Sequence, residues 1–203
     1  MKRQLMKMAM VLLGAGCSAP PVTVDAGPEG PCQVVTRSHA IEGANHVATC
    51  SSVSFGSSPP SSGNHYPTWA AYKTYTASMP PGFLVHNLEH GALVFTYNCP
   101  AGCDDELAAL QKMIDALPAD AVCGSRPARR VVVAPDPALD VRFAVAAWGF
   151  TLRAACFDEA LFKSFAIAHA GQGPESTCAD GADIPALIAT MPECQWWFAR
   201  DGG

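Results

Sequence analysis

Val85-His-Asn-Leu-Glu-His-Gly-Ala-Leu-Val-Phe-Thr-Tyr97 changes character at its glycine. Residues 86–90 read as a helical turn that stops at Gly91, because glycine readily ends a helix in the left-handed region. Ala92 to Tyr97 reads as a strand by its apolar and aromatic content. A short helix running directly into a strand is the junction from which the rest of the fold can be laid out.

Downstream the chain is regular. Asp104 to Leu117 predicts an amphipathic helix, with an acidic first turn and Pro118 as its stop. Arg130–Ala134 predicts a β-branched strand, and Arg142–Leu152 a long strand carrying Trp148. Asp158–Ala170 predicts a second helix, and 184–189 a short one. The order β-α-β-β-α argues for an α+β fold, a single domain over residues 32–203 with helices packed on a mixed sheet. That order also fits the C-terminal half of a thioredoxin-like fold. Upstream, Cys32 to Pro81 is loop-rich, with Ser57-Ser-Pro-Pro-Ser-Ser-Gly63 and Pro80-Pro-Gly82 as turns. Short strands are expected at Cys32–Val35 and Ser52–Phe55.

Residues 1–16 read as a targeting segment. Lys2, Arg3 and Lys7 form a basic head, followed by a short apolar stretch and small residues ahead of Cys17. The stretch is far short of the about 20 apolar residues that span a bilayer. It resembles a bacterial lipoprotein signal, although Gly14 stands where such signals usually carry Leu. Cys17 is then the lipidated residue, residues 17–31 a flexible tether, and Ser18 favours anchoring at the outer membrane. An ordinary secretory signal cut before Pro20 is the alternative.

The nine cysteines agree with export. Eight remain once Cys17 is set aside, which predicts four disulfides. Cys32 with Cys50 and Cys178 with Cys194 are the expected pairs, the middle four pairing among themselves. Cys99 and Cys103 could instead bind zinc, but oxidising surroundings disfavour it, and C-x-x-C is absent. Without residues 1–16 the chain carries ten Lys and Arg against eighteen Asp and Glu, a formal charge of −8. Nothing in that balance suits nucleic acid, which needs clustered positive charge.

The chemistry lies among the histidines. His86 and His90, four apart on one helical face, have the spacing by which a helix grips a divalent metal. H-x-x-E-H also matches the inverted zinc-protease motif, in which Glu89 would activate water. His65 follows a Ser/Pro/Gly loop and His46 precedes an extended segment, so four of six histidines fall in one window. A nucleophilic triad has no matching motif.

Two stretches, Pro59-Pro-Ser-Ser-Gly-Asn-His-Tyr-Pro-Thr-Trp69 and Leu84–Tyr97, resemble an uncharacterised bacterial family, domain of unknown function 3105. Further matching elements are His46-Val47, Ala146-Ala-Trp-Gly149 and Gly173-Pro-Glu175. Ala146 stands where the family has Thr, and the cysteine count is high. His46, His65, His86 and His90 all fall on family positions, whereas His39 and His169 do not. The resemblance thus marks a residue set whose chemistry must be argued. One ion can satisfy several imidazoles that are costly to bury unpaired, and an all-imidazole set suits zinc or copper outside the cytoplasm. Met79 would tilt the choice towards Cu(I), or is a core gap-filler. Glu89 is a candidate catalytic base, a carboxylate holding a histidine N–H, or a surface charge. The expectation is a cell-envelope lipoprotein, bound to its membrane through lipid, that binds or handles copper or zinc; a metal-dependent enzyme and a purely structural envelope protein are the alternatives. Its protein partner is unknown.

Overall fold

The computed structural model describes residues 22–25, 31–124 and 129–200. Its centre is β3 (Leu93–Tyr97), which leaves the helix α1 (Pro81–Glu89) through Gly91 as the sequence predicts. Helix α1 begins earlier than residue 86. Pro80-Pro-Gly82, read as a turn, supplies its start, because Pro81 occupies a first-turn position that needs no N–H.

From β3 the chain enters α2 (Asp104–Asp115), whose first-turn acids Asp104, Asp105 and Glu106 match the positive end of the helix. It returns in β4 (Val131–Pro135), parallel to β3. The segment predicted as one long strand is a hairpin, β5 (Phe143–Ala147) and β6 (Phe150–Ala154). Trp148 and Gly149 form its turn, and Gly149 sits at φ +76°, a conformation glycine adopts without strain. Helix α3 (Glu159–His169) follows; its N-cap Asp158 accepts a hydrogen bond from the Leu161 N–H. The N-terminal strands β1 (Val22–Asp25) and β2 (Pro31–Ser38) add antiparallel strands beyond β6. Five residues of the expected tether, Val22–Asp25 and Pro31, thus pair in the sheet; residues 1–21, with the expected signal and Cys17, and residues 26–30 lie outside the described residues. Ser52–Phe55 is not a strand but a loop, its neighbours Ser51 and Gly56 being bonded to groups other than a strand partner.

The result is one mixed sheet, ordered β1-β2-β6-β5-β3-β4, in an α+β domain. Alternate residues of β3 face opposite layers. Leu93 and Phe95 join Met113 of α2 and Phe162 of α3 in one apolar core. Val94 joins Phe83 and Leu88 of α1, Tyr66, Tyr75 and Trp197 in the other. This second layer also holds α4 (Ile184–Ile188), a 3₁₀ turn Pro192–Cys194 and α5 (Gln195–Arg200). No helix among the described residues is long and apolar enough to cross a membrane.

Eight cysteines form four disulfides as expected, but neither Cys32–Cys50 nor Cys178–Cys194 is among them, and of the middle four only Cys99 and Cys103 pair with each other. Cys32 bonds Cys156, Cys50 bonds Cys194, Cys99 bonds Cys103 and Cys123 bonds Cys178. Proximity in sequence misled because β2 lies against β6, which brings Cys32 to the residues just after that strand. Cys99 and Cys103 are therefore joined to each other and do not form a thiolate metal site.

Candidate metal centre

The site is built where three segments meet the C-terminal end of α1. Asn87, fully buried, accepts a hydrogen bond from the Ala70 N–H (3.0 Å) and donates to the Ala70 carbonyl (2.8 Å). That pair fastens the 59–70 segment along α1. Residues 43–47 are held in turn by backbone bonds from Val47 N–H to His65 O (2.8 Å) and from His65 N–H to Asn45 O (3.0 Å). A carboxy-terminal segment closes the far side. A Cβ on Gly173 would fall 2.2 Å from Glu89 O, so only glycine lets this backbone come so near. Just beyond, the Glu175 N–H donates to the Glu89 carbonyl (3.0 Å).

These fastenings bring His46, His65, His86 and Glu89 together, with one potential ligand atom from each lying within 4.8 Å of the others. The rings of His46, His65 and His86 stand 4.8–5.0 Å apart, centroid to centroid. His65 is fully buried, and Glu89 is buried too; only His46, with its side chain 51% exposed, opens to solvent.

The backbone fixes which imidazole nitrogens are free. A carbonyl only accepts, so His65 Nδ1–H donates to Gly63 O (2.9 Å) and His86 Nδ1–H donates to Tyr66 O (2.6 Å). In each neutral ring the Nε2 lone pair then points into the cluster. The Nε2 of His65 lies 2.9 Å from Glu89 Oε2, and that of His46 lies 3.8 Å from the same oxygen. A lone pair facing a carboxylate at that distance repels unless a cation or a second proton stands between them. Burial reinforces this at His86, whose pKa is pushed down to about 4, chiefly by desolvation and against the opposing Tyr66 hydrogen bond.

His90 sits at the edge. Its Nε2 lies 3.1 Å from that of His86 and 3.5 Å from a Glu175 oxygen, while its buried Nδ1 has no partner among the described residues. Burial, followed by the opposing pull of Glu175, leaves its pKa lowered. Glu89 is not a surface charge; it stands inside the donor group where the sequence suggested His90. Trp69 packs its ring against both His86 and His90, at 5.0 and 4.6 Å. Behind them Arg130 donates to the His90 carbonyl and pairs with Asp120. Met79 is buried in the apolar core with Phe83, as a gap-filler would be. His39 bonds Thr151 and His169 stacks on Phe150, both outside the cluster, as expected. Asn87 and Glu175, which shape the site, were not singled out from sequence, although both lie within the matching motifs.

The donor set, three imidazoles and one carboxylate, can hold a metal ion. Zinc, copper, iron and nickel all accept imidazole. Residues 46–181 match the family described as Protein of unknown function (DUF3105), and the chain belongs to it. No curated protein and no solved structure matches the chain.

Proposed function

We propose that this family member is an exported metal-binding protein of the cell envelope, anchored through lipid on Cys17 at the outer membrane. In this reading it holds one copper or zinc ion with His46, His65, His86 and Glu89. The observation that supports it most is the pair of Nε2 lone pairs, on His65 and His86, that carbonyl hydrogen bonds aim at the space shared with Glu89. Such an arrangement calls for a cation, or an added proton, between the rings and Glu89. An ion there would draw on all four donors, giving the closed set typical of binding rather than of catalysis.

Metal analysis of the purified protein, followed by titration with Zn²⁺ and Cu²⁺, tests this. One tightly bound ion per chain, lost in His65→Ala and His86→Ala, is expected. A chain that takes up no ion, or that keeps full stoichiometry in both variants, would sink it. Membrane fractionation of Cys17→Ser tests the anchor: the variant should leave the membrane fraction or remain unprocessed.

A second reading, a metal-dependent hydrolase, draws on the exposure of His46, which leaves one side of the cluster open to water. There His46, His65 and His86 would be the ligands and Glu89 the base. Glu89→Gln separates the two: a base variant keeps its metal, whereas a ligand variant loses affinity.

A further inference from the structure

The Cys99–Cys103 disulfide differs from the other three in what it holds. Those three join residues 55, 124 and 144 positions apart, and so tie distant segments together. Cys99–Cys103 spans four positions, within the turn between β3 and α2. That turn has backbone bonds of its own: Gly102 N–H to Cys99 O at 2.9 Å, and Leu107 N–H to Cys103 O at 2.9 Å. A cross-link closing so short a loop constrains the unfolded chain least. It therefore adds less stability than any of the other three.

Its surroundings suit attack from solution. Cys99 is half-buried beside the exposed Pro100, Ala101 and Gly102. It lines an open groove of about 640 Å³ together with Asn98, Leu139, Asp140 and Arg142. Cys103 lies behind it, 7% exposed, as the N-cap of α2, with no side-chain bond of its own at that cap. The free N–H groups of a helix start stabilise a thiolate. The acids of that first turn oppose this, but Glu106 is paired with Arg142, whose guanidinium also reaches the Gly102 carbonyl at 3.3 Å. Asp104 and Asp105 are exposed to solvent, whose high dielectric weakens their opposition without removing it.

We propose that Cys99–Cys103 is a thiol-exchange site whose partner is a protein dithiol approaching along the groove, an activity separate from the histidine cluster. The partner's thiolate attacks the more exposed Cys99 Sγ. A new S–S bond forms to Cys99, the Cys99–Cys103 bond breaks, and its electron pair leaves on Cys103 as thiolate. The partner's second thiolate then attacks the partner sulfur of the mixed disulfide. Cys99 thiolate is released and the partner leaves as a disulfide, so two electrons pass to this chain and both its thiolates take protons from water.

The test is a dithiothreitol titration of the whole protein, with alkylation and mass mapping of each cysteine. Cys99 and Cys103 should label at concentrations at least tenfold below those that open the other three pairs, with the circular dichroism of the fold unchanged. In Cys103→Ser, oxidised glutathione should leave one adduct, on Cys99. Four pairs opening together, this pair opening last, or its opening unfolding the chain would each overturn the proposal, as would absence of the adduct in a folded variant. Should Cys103→Ser not fold, the titration of the native protein decides alone.

Discussion

The side-chain amide of Asn87 bonds both the N–H and the carbonyl of Ala70, as a neighbouring strand would. One residue of α1 thus stands in for a sheet edge and pins a loop-rich segment that has no regular structure. His65 reaches the cluster on that pinned segment.

Replacing Asn87 with leucine keeps the branched heavy-atom skeleton and removes both bonds. Two buried backbone groups left without partners cost about 1–3 kcal/mol each, so a loss of about 3 kcal/mol is expected in urea unfolding. Metal affinity should fall with it. A variant as stable as the parent would show that the 59–70 segment is held by something else.

Gly173→Ala places a methyl against three backbone atoms, the nearest at 2.2 Å. Backbone cannot swing aside as a side chain can, so about 1–3 kcal/mol of destabilisation is expected. The segment carrying Glu175 should withdraw from α1. Faster amide exchange at Glu175 would report that withdrawal; unchanged exchange and stability would contradict it.

Chelator competition should rank the histidines. His65→Ala and His86→Ala should lower metal affinity by more than about 100-fold, and His90→Ala, which touches a donor without joining the group, by about 10–100-fold. His39→Ala and His169→Ala should change nothing. Equal losses in all five would point to bulk histidine content instead of a site.

Metal-free stability should fall as pH drops from 7 to 5. Burial lowers the folded pKa of His86, to about 4, and also those of His90, His39 and His169. Each folded value lies below the unfolded value of about 6.5, so the unfolded chain takes up more protons in this window. The contribution is whole above pH 6.5 and is lost on acidification. His169→Leu, outside the cluster, should flatten the slope in part. A midpoint that rises on acidification over the same range would have the wrong sign.

Legibility in the sequence followed the range of the interactions. Helices α2 and α3 were readable because an acidic first turn, the Asp158 cap and a proline stop are local signals. The hairpin was missed because the apolar run continues through Trp148, and a single glycine marks the turn. The partners of Cys32, Cys50, Cys178 and Cys194 were misassigned because they come from distant segments, which no local pattern encodes, whereas Cys99 and Cys103 pair within the middle four as expected. At the site, motif resemblance located His46, His65 and His86, but it could not distinguish Glu89 within the donor group from His90 at its edge. That distinction depends on how Glu175 and Trp69 pack, and both come from other segments.

The Cys50–Cys194 link has a consequence in time. Under the proposed export, His46, His65, His86 and Glu89 emerge first, while Gly173, Glu175 and Cys194 come last. The segment that closes the far side of the cluster is then added only at the end, when its cysteine can reach Cys50. The four donors are therefore all present before the backbone that confines them.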